Sequence, residues 1–337
     1  MYAFFALYAS IKGCEFCKHN IVVDGSFLKA TYRGILLTAC SQDVGGKILP
    51  LAYAIIDSEN EASWRWFFES FKEAFGDRDG MCIVCDRNES IAKATLIVYP
   101  QVSHCVCIWH LWNNIKDRYK RSQEELREIF FATARAYTIQ EFNHHVTEME
   151  QKDGRVKDYL FDIGCHRRCR AHVKVNRTMT MTSNIAESLN SATKQARELP
   201  VLVEEIRILI KRWNYTNRNI VQALFTKLTI KYNAILDENL DASQHMMVRP
   251  STESLHSVIG NGRLFIVCLG ERTCSCRRFQ LDQILCLHAW SVLRSKNLEG
   301  EDYCYMYYIN EYMLQPYDIS IIPLPDKSTW TIPAEVL

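Results

Sequence analysis

Residues 20 to 110 hold a series of short segments whose hydrophobic period switches in an order that few folds satisfy. "NIVVDGSF", "GILLTACSQD" and "ILPLAYAIID" are brief apolar runs ending in turn residues, so each reads as a strand. Gly45-Gly46, between the second and third runs, is a hairpin signal. In "EASWRWFFESFKEAF" the period changes, and Trp64, Phe67, Phe68 and Phe71 line one face of a helix. "MCIVCD" is a fourth strand, "SIAKATLIVYP" a short helix and "SHCVCIW" a fifth strand. The order βββ-α-β-α-β predicts an α/β unit with a mixed sheet.

From about 111 to 235 the strand signals fade. Helical periodicity takes over, most clearly in "EELREIFFATARAY" and "VEEIRILIKRWNYTNR". Within this stretch "CHRRCRAHVKVNR" concentrates Arg167, Arg168, Arg170 and Lys174. Residues 236–260 read as a polar linker, and a last small unit begins near "RLFIVCL".

That last unit contains "CSCRRFQLDQILCLH". Cys274-x-Cys276 and Cys286-x-His288 supply three thiols and an imidazole, the donor set of a closed tetrahedral Zn²⁺ site. With all four positions filled by protein, such a zinc is structural. A unit this small lacks a core of its own, so metal is expected to supply about 10 kcal/mol or more of folding energy. Cys107-x-x-His110 is weaker: a buried thiol beside a helix-cap imidazole explains it as well as a ligand pair does. Cys14, Cys17 and His19, like Cys165 and Cys169, have no second half-site nearby and read as structural thiols.

Composition narrows the class. The 337-residue chain is 48% hydrophobic and 23% charged, which is globular, and its net charge of +1 sets up no global field for nucleic acid. Fourteen cysteines in a chain with ample apolar residues point to reduced thiols and metal ligands rather than a disulfide scaffold. The opening "MYAFFALYAS" has no preceding basic residue and is too short to span a membrane, so no membrane partner is expected.

Two acids follow strands. Asp24 stands before Gly25 after the first run, and Asp86 ends the fourth. Each alone is an ordinary turn aspartate. In a βββ-α-β sheet, however, the first and fourth strands are neighbours, which brings the two carboxylates together. Close carboxylates repel unless one is protonated or a cation lies between them. A Mg²⁺ pair bridged by such acids suits in-line attack on phosphodiesters. Glu187, in the first turns of a helix opened by "TSN", is the candidate third acid.

These residues also carry a resemblance. The stretch from "VVDGSF" to "RWFFESF", then "CDRNESI", "HCVCIWHLWNNI" and "TSNIAESLN", resembles the Mutator-like (MULE) plant transposases and their domesticated relatives, and the cysteine–histidine stretch resembles their SWIM zinc finger. The resemblance implies a ribonuclease H-like fold with an all-helical insertion. It assigns Asp24, Asp86 and Glu187 as a catalytic triad holding Mg²⁺ or Mn²⁺, and gives Cys107 and His110 an auxiliary role. It divides the chain into a remnant (1–19), the transposase core (20–110), a helical insertion (111–178), helices from the third acid onward (179–235), the linker (236–260), the zinc finger (261–300) and a tail (301–337).

The implied function is two-metal cleavage or transfer of DNA strands. The alternative is a catalytically inactive, domesticated DNA-binding transcription regulator. Two departures favour a truncated or domesticated copy: Cys85 and Asn88-Glu89 replace the family's Ser and Gly around the second acid, and the upstream DNA-binding module is missing. The expected partner is DNA, with a homo-oligomer left open, and the expected location is the nucleus. Arg167, Arg168, Arg170, Lys174, Arg277 and Arg278 are the candidate phosphate contacts.

Overall fold

The computed structural model describes residues 2–28, 34–164, 169–172, 184–193, 199–223, 228–305 and 308–323. Its larger sheet is mixed, with six strands in the order β1-β4-β3-β2-β5-β6. Strands β2 (Asn20–Phe27), β3 (Ile35–Gln42) and β4 (Ile48–Ile56) run antiparallel. The β3–β4 turn closes with the Asp43 N–H donating to the Lys47 carbonyl at 2.9 Å, and Gly46 takes φ +86°, a left-handed value that favours glycine. Strands β5 (Cys82–Cys85) and β6 (Ser103–Val106) join beside β2 in parallel. Helices α2 (Glu61–Phe75) and α3 (Glu89–Val98) make the crossovers that parallel pairing requires.

Residues 1–19, expected to be a remnant, belong to this unit as far as they are described. Strand β1 (Ala3–Ala6) pairs antiparallel with β4, and α1 (Tyr8–Cys14) packs on it. The run Ala3-Phe-Phe-Ala6 is short and apolar on both sides, so its strand character emerges only beside the unpaired edge of β4.

Burial along β2, β3 and β4 is nearly continuous, because helices cover both faces. On one face Ile21, Val23, Leu37 and Ile83 meet Trp64, Phe67, Phe68 and Phe71 of α2. On the other, Val22, Leu36, Cys40 and Val84 meet Ala186 and Leu189 of α7 (Asn184–Thr193) and Leu202 and Ile206 of α8 (Leu199–Gln222). Strand side chains alternate, so Asp24, in phase with Val22, points toward α7. Between β6 and α7, helices α4 (Ile108–Arg118), α5 (Gln123–Arg135) and α6 (Ile139–Asp162) build a separate core around Trp112, Phe130, Phe142 and Val156.

Residues 236–260 are not a bare linker. Helix α9 (Ile230–Ala242) runs into them, and β7 (Met247–Pro250) and β8 (Leu255–Gly260) pair with β9 (Arg263–Cys268) and β10 (Thr273–Cys274) in a second, four-stranded sheet. Burial along β8 alternates residue by residue, with His256, Val258 and Gly260 inward and Leu255, Ser257 and Ile259 outward. Helices α10 (Arg278–Asp282) and α11 (Leu287–Lys296) complete this module.

The module does have a core. Val258, Val267, Phe279, Leu285 and Val292 pack with Tyr232 and Leu236 of α9, with Val44 at the tip of the β3–β4 hairpin, and with Tyr308 and Met313. The segment after residue 301 thus contributes packing: α12 (Asn310–Leu314) follows Tyr308, and the buried Tyr317 donates to Asp43 Oδ2 at 2.7 Å.

Candidate functional sites: an acid edge and a zinc clip

Asp24 does not close its strand. β2 continues to Phe27, and Asp24 pairs with Thr38 in the middle of the β2–β3 ladder. The parallel register of β2 and β5 sets Val22 beside Val84, and two residues further along it sets Asp24 beside Asp86, where β5 has ended. The turn after Asp86 is made without glycine. Asp86 Oδ1 accepts the Asn88 N–H at 2.9 Å, and Asn88 Oδ1 caps α3 by accepting the Ser90 N–H at 2.9 Å. Asn88 Nδ2 also donates to Glu59 Oε1 at 2.7 Å. Gly25 gives the Glu59 carboxylate room to lie against β2, since a Cβ there would stand 3.1 Å from it.

Helix α7 lays Glu187 and Asn190 across this edge, one turn apart. Asn190 is buried and bridges two strands: its Nδ2 donates to Asp24 Oδ2 at 2.7 Å, and its Oδ1 accepts from Thr38 Oγ1 at 2.6 Å. Neither Asn190 nor Thr38 stands out in sequence. The hint is that Asn190 lies three residues after Glu187, hence on the same side of the helix. The "TS" of the expected cap, Thr182-Ser183, lies outside the described residues.

The electrostatics tie the three acids together. Burial raises Asp24 to about 6, its hydrogen bond from Asn190 opposes that, and the charges of Asp86 and Glu187 push it further up. His110, at the start of α4, is raised to about 9. The hydrogen bond with Cys107 is the main cause, and Glu187 and Asp86 add to it, so the ring is an imidazolium at neutral pH. Its Nε2 lies 3.3 Å from Glu187 Oε1. Cys107 and His110 therefore meet the acids at the same edge.

The carboxylates are near but not clustered. Among the described residues, the groups with every ligand atom within 4.8 Å of the others are Cys274/Cys276/Cys286/His288 and His144/His145/Glu148, not the three acids. Mutual repulsion and the pull of His110 on Glu187 account for the spread. Hard carboxylate oxygens of Asp24, Asp86 and Glu187 are nonetheless a donor set that fits Mg²⁺ or Mn²⁺.

The second site is the zinc clip. Cys274 on β10, Cys276, Cys286 capping α11 and His288 in its first turn are all buried. The Cys274 Sγ–His288 Nδ1 separation is 3.6 Å. A tetrahedral zinc with its usual bond lengths needs a sulfur–nitrogen edge of roughly 3.5 Å, so the cluster fits the metal. Hydrogen bonds from Cys274 and Cys286 hold the Cys276 thiol far below its ordinary range, while its pairing with Cys276 lifts Cys274 to about 12 and burial lifts Cys286. Every described cysteine is a free thiol.

The candidate DNA-contacting arginines fare differently. Arg167, Arg168 and Lys174 lie outside the described residues. Arg170 is buried, its guanidinium 4.5 Å from the Tyr137 ring, and Arg278 covers the same ring at 4.9 Å. Tyr137 donates to Asp282 Oδ2 at 2.5 Å, and Arg277 donates to the Ala171 carbonyl at 2.6 Å. These side chains fasten the helical region to the zinc module. Arg170 is thereby withdrawn from solvent, whereas Arg278 keeps an exposed edge.

Comparison with known proteins agrees with this division. Residues 20–114 match the model of the MULE transposase domain, and residues 265–297 match that of the SWIM zinc finger. Three relatives are from Arabidopsis thaliana. Putative protein FAR1-RELATED SEQUENCE 10 is 22% identical over 326 residues, covering 86% of this chain and 47% of the relative. Protein FAR1-RELATED SEQUENCE 4 is 22% identical over 106 residues, 30% of this chain and 14% of the relative. Protein FAR1-RELATED SEQUENCE 5 is 25% identical over 111 residues, 33% of this chain and 13% of the relative. The chain thus spans less than half the length of these relatives. No described helix is long and apolar enough to cross a membrane.

Proposed function

From a chain that carries a MULE transposase domain and a SWIM zinc finger, we propose a transposase-derived, DNA-binding protein of the nucleus whose acid edge performs divalent-metal phosphodiester chemistry. The observation that carries this reading is the raised pKa of the half-buried Asp24, pushed up chiefly by burial and in part by Asp86 and Glu187: three acids from β2, the end of β5 and the first turn of α7 share one field. A ribonuclease H-like description is supported by the antiparallel β2–β3–β4 unit, the parallel β5 and β6, and helices separating β6 from the third acid.

In this reading Asp24 and Asp86 would hold one Mg²⁺ or Mn²⁺ jointly and Glu187 would help to hold a second. Such ions would supply the Lewis acidity that phosphodiester cleavage or transfer needs, for a water or a 3′-hydroxyl as nucleophile. The chain's own part is positional. Asn190 fixes one oxygen of Asp24, the Asn88 N–H fixes Asp86, and His110 holds Glu187. The zinc finger is structural.

A DNA-binding regulator without chemistry is favoured by one specific observation: the His110 imidazolium already neutralises Glu187. Incubating zinc-loaded protein with terminal-repeat duplex in Mg²⁺ or Mn²⁺ separates the two. Catalysis predicts nicking that EDTA, Asp24→Asn and Asp86→Asn each abolish. Retained DNA binding with no cleavage in either metal would leave the regulator.

A further inference from the structure

An acidic edge repels a polyanion, so a protein that works on phosphodiesters needs positive charge beside its acids. Such charge is gathered where β5 passes into α3. Arg87, next in the chain after Asp86, lies over the Tyr159 ring with its guanidinium carbon 5.6 Å from the centroid, and it also donates to the Tyr159 hydroxyl. Arg118 lies over the same ring at 5.1 Å and over Tyr119 at 5.8 Å. Arg155, from α6, covers Tyr119 at 5.6 Å. The two tyrosine rings are 5.9 Å apart.

Three exposed guanidiniums from separate parts of the chain therefore converge on one tyrosine pair. Among the described residues, the carboxylate bound to any of them is Asp153, which takes two donors of Arg155. Gathering like charges is unfavourable unless an anion completes the group. The aromatic contacts hold Arg87 and Arg118 against the rings, and an exposed guanidinium so held has further N–H groups with which to grip a phosphate. Arg155 is engaged by Asp153 and adds its charge behind them. The strip is also in line with the acids. His110 and Arg118 share helix α4, eight residues apart, about 12 Å along the axis. That distance covers roughly three to four phosphates of one duplex strand.

We propose that Arg87 and Arg118, braced by Tyr119 and Tyr159 and backed by the Arg155–Asp153 pair, form a phosphodiester-binding strip that carries a DNA backbone to the acid edge. The inference rests on the reading of DNA as partner and assigns where it lies.

The test is fluorescence anisotropy of the zinc-loaded full chain with a short labelled duplex across a salt titration, for Arg87→Gln, Arg118→Gln and the double variant. Arg65→Gln on α2, over the opposite face of the sheet, is the control. Each strip substitution is expected to weaken binding about tenfold at 0.1 M salt and to lower the slope of log K against log salt by about 0.9, with the double variant losing twice that. Arg118→Lys, which keeps the charge, should keep the slope, and zinc content and melting temperature should stay at the wild-type values. Wild-type slopes in both single variants overturn the strip while leaving DNA as partner. Absence of binding by the wild-type chain overturns the reading on which the strip rests.

Discussion

The Asn190 side chain spans 2.7 Å to Asp24 Oδ2, so the residue that holds the first acid comes from the helix that presents the third. Asn190→Ala would strip the half-buried Asp24 carboxylate of its donor and leave the buried Thr38 hydroxyl without its acceptor. The expected loss is about 1–3 kcal/mol of stability, together with a further rise in the Asp24 pKa. Denaturant unfolding of the metal-free protein at neutral pH checks it. Asn190→Asp should lose more, and recover part of the loss in acid as the new carboxyl protonates.

Asp24 should be a stability liability. Its carboxyl titrates near 6 in the fold against 3.8 otherwise, so folding favours the neutral form. Below 3.8 both states are protonated and nothing is lost. The penalty grows from there to about 6 and is full above it, at about 3 kcal/mol. Asp24→Asn should therefore raise the melting temperature of metal-free protein at pH 7 to 8 and change little at pH 3.5. An Asp24→Asn variant no more stable at pH 7 than wild type would contradict this.

His110 gives the opposite trend at higher pH. Its folded pKa is raised from 6.5 to about 9, so its contribution is full below 6.5 and disappears as pH rises through 9. The ring is half exposed, and screening reduces the contribution to about 1 kcal/mol. His110→Asn should flatten the fall in stability between pH 6.5 and 9 seen in calorimetric scans.

Zinc removal should unfold more than the clip. Cys274, Cys276 and Cys286 sit in one core with Tyr232 and Leu236 of α9 and Val44 of the β3–β4 hairpin. Chelation, or Cys286→Ser, is expected to expose amides of α9 and the hairpin to hydrogen exchange while α2 and its face of the sheet stay protected. Exchange confined to residues 273–288 would contradict this shared core.

The Tyr137–Asp282 contact predicts a fastening defect. Asp282→Ala removes the acceptor for Tyr137 and takes a negative charge from the neighbourhood of the buried Arg170, a loss of about 1–3 kcal/mol. Limited proteolysis should then cut between α6 and α7 sooner than in wild type, with zinc content unchanged.

How far the sequence was legible depended on the range of the interaction involved. The strands and helices between residues 20 and 110 were readable because hydrophobic period is local, and the four zinc donors because they lie within one short stretch. Residues 3–6 were not readable as a strand, since only the free edge of β4 makes them one. Residues 236–260 looked like linker because composition does not reveal that one side of β8 is covered.

By itself the sequence determined the succession of strands and helices between residues 20 and 110 and the zinc donor set, both properties of neighbours in the chain. Only the tertiary structure decided that Asp24 lies inside β2 rather than at its end, that His110 binds Glu187, and that Asn190 and Thr38 brace the first acid. It also decided that Arg170 and Arg277 fasten the helical region to the zinc module, and that Arg87 and Arg118 share a tyrosine platform. Each of these is a contact between residues far apart in the chain, governed by strand register, helix phase and the balance of buried charge. None of those has a signature within a short window of sequence.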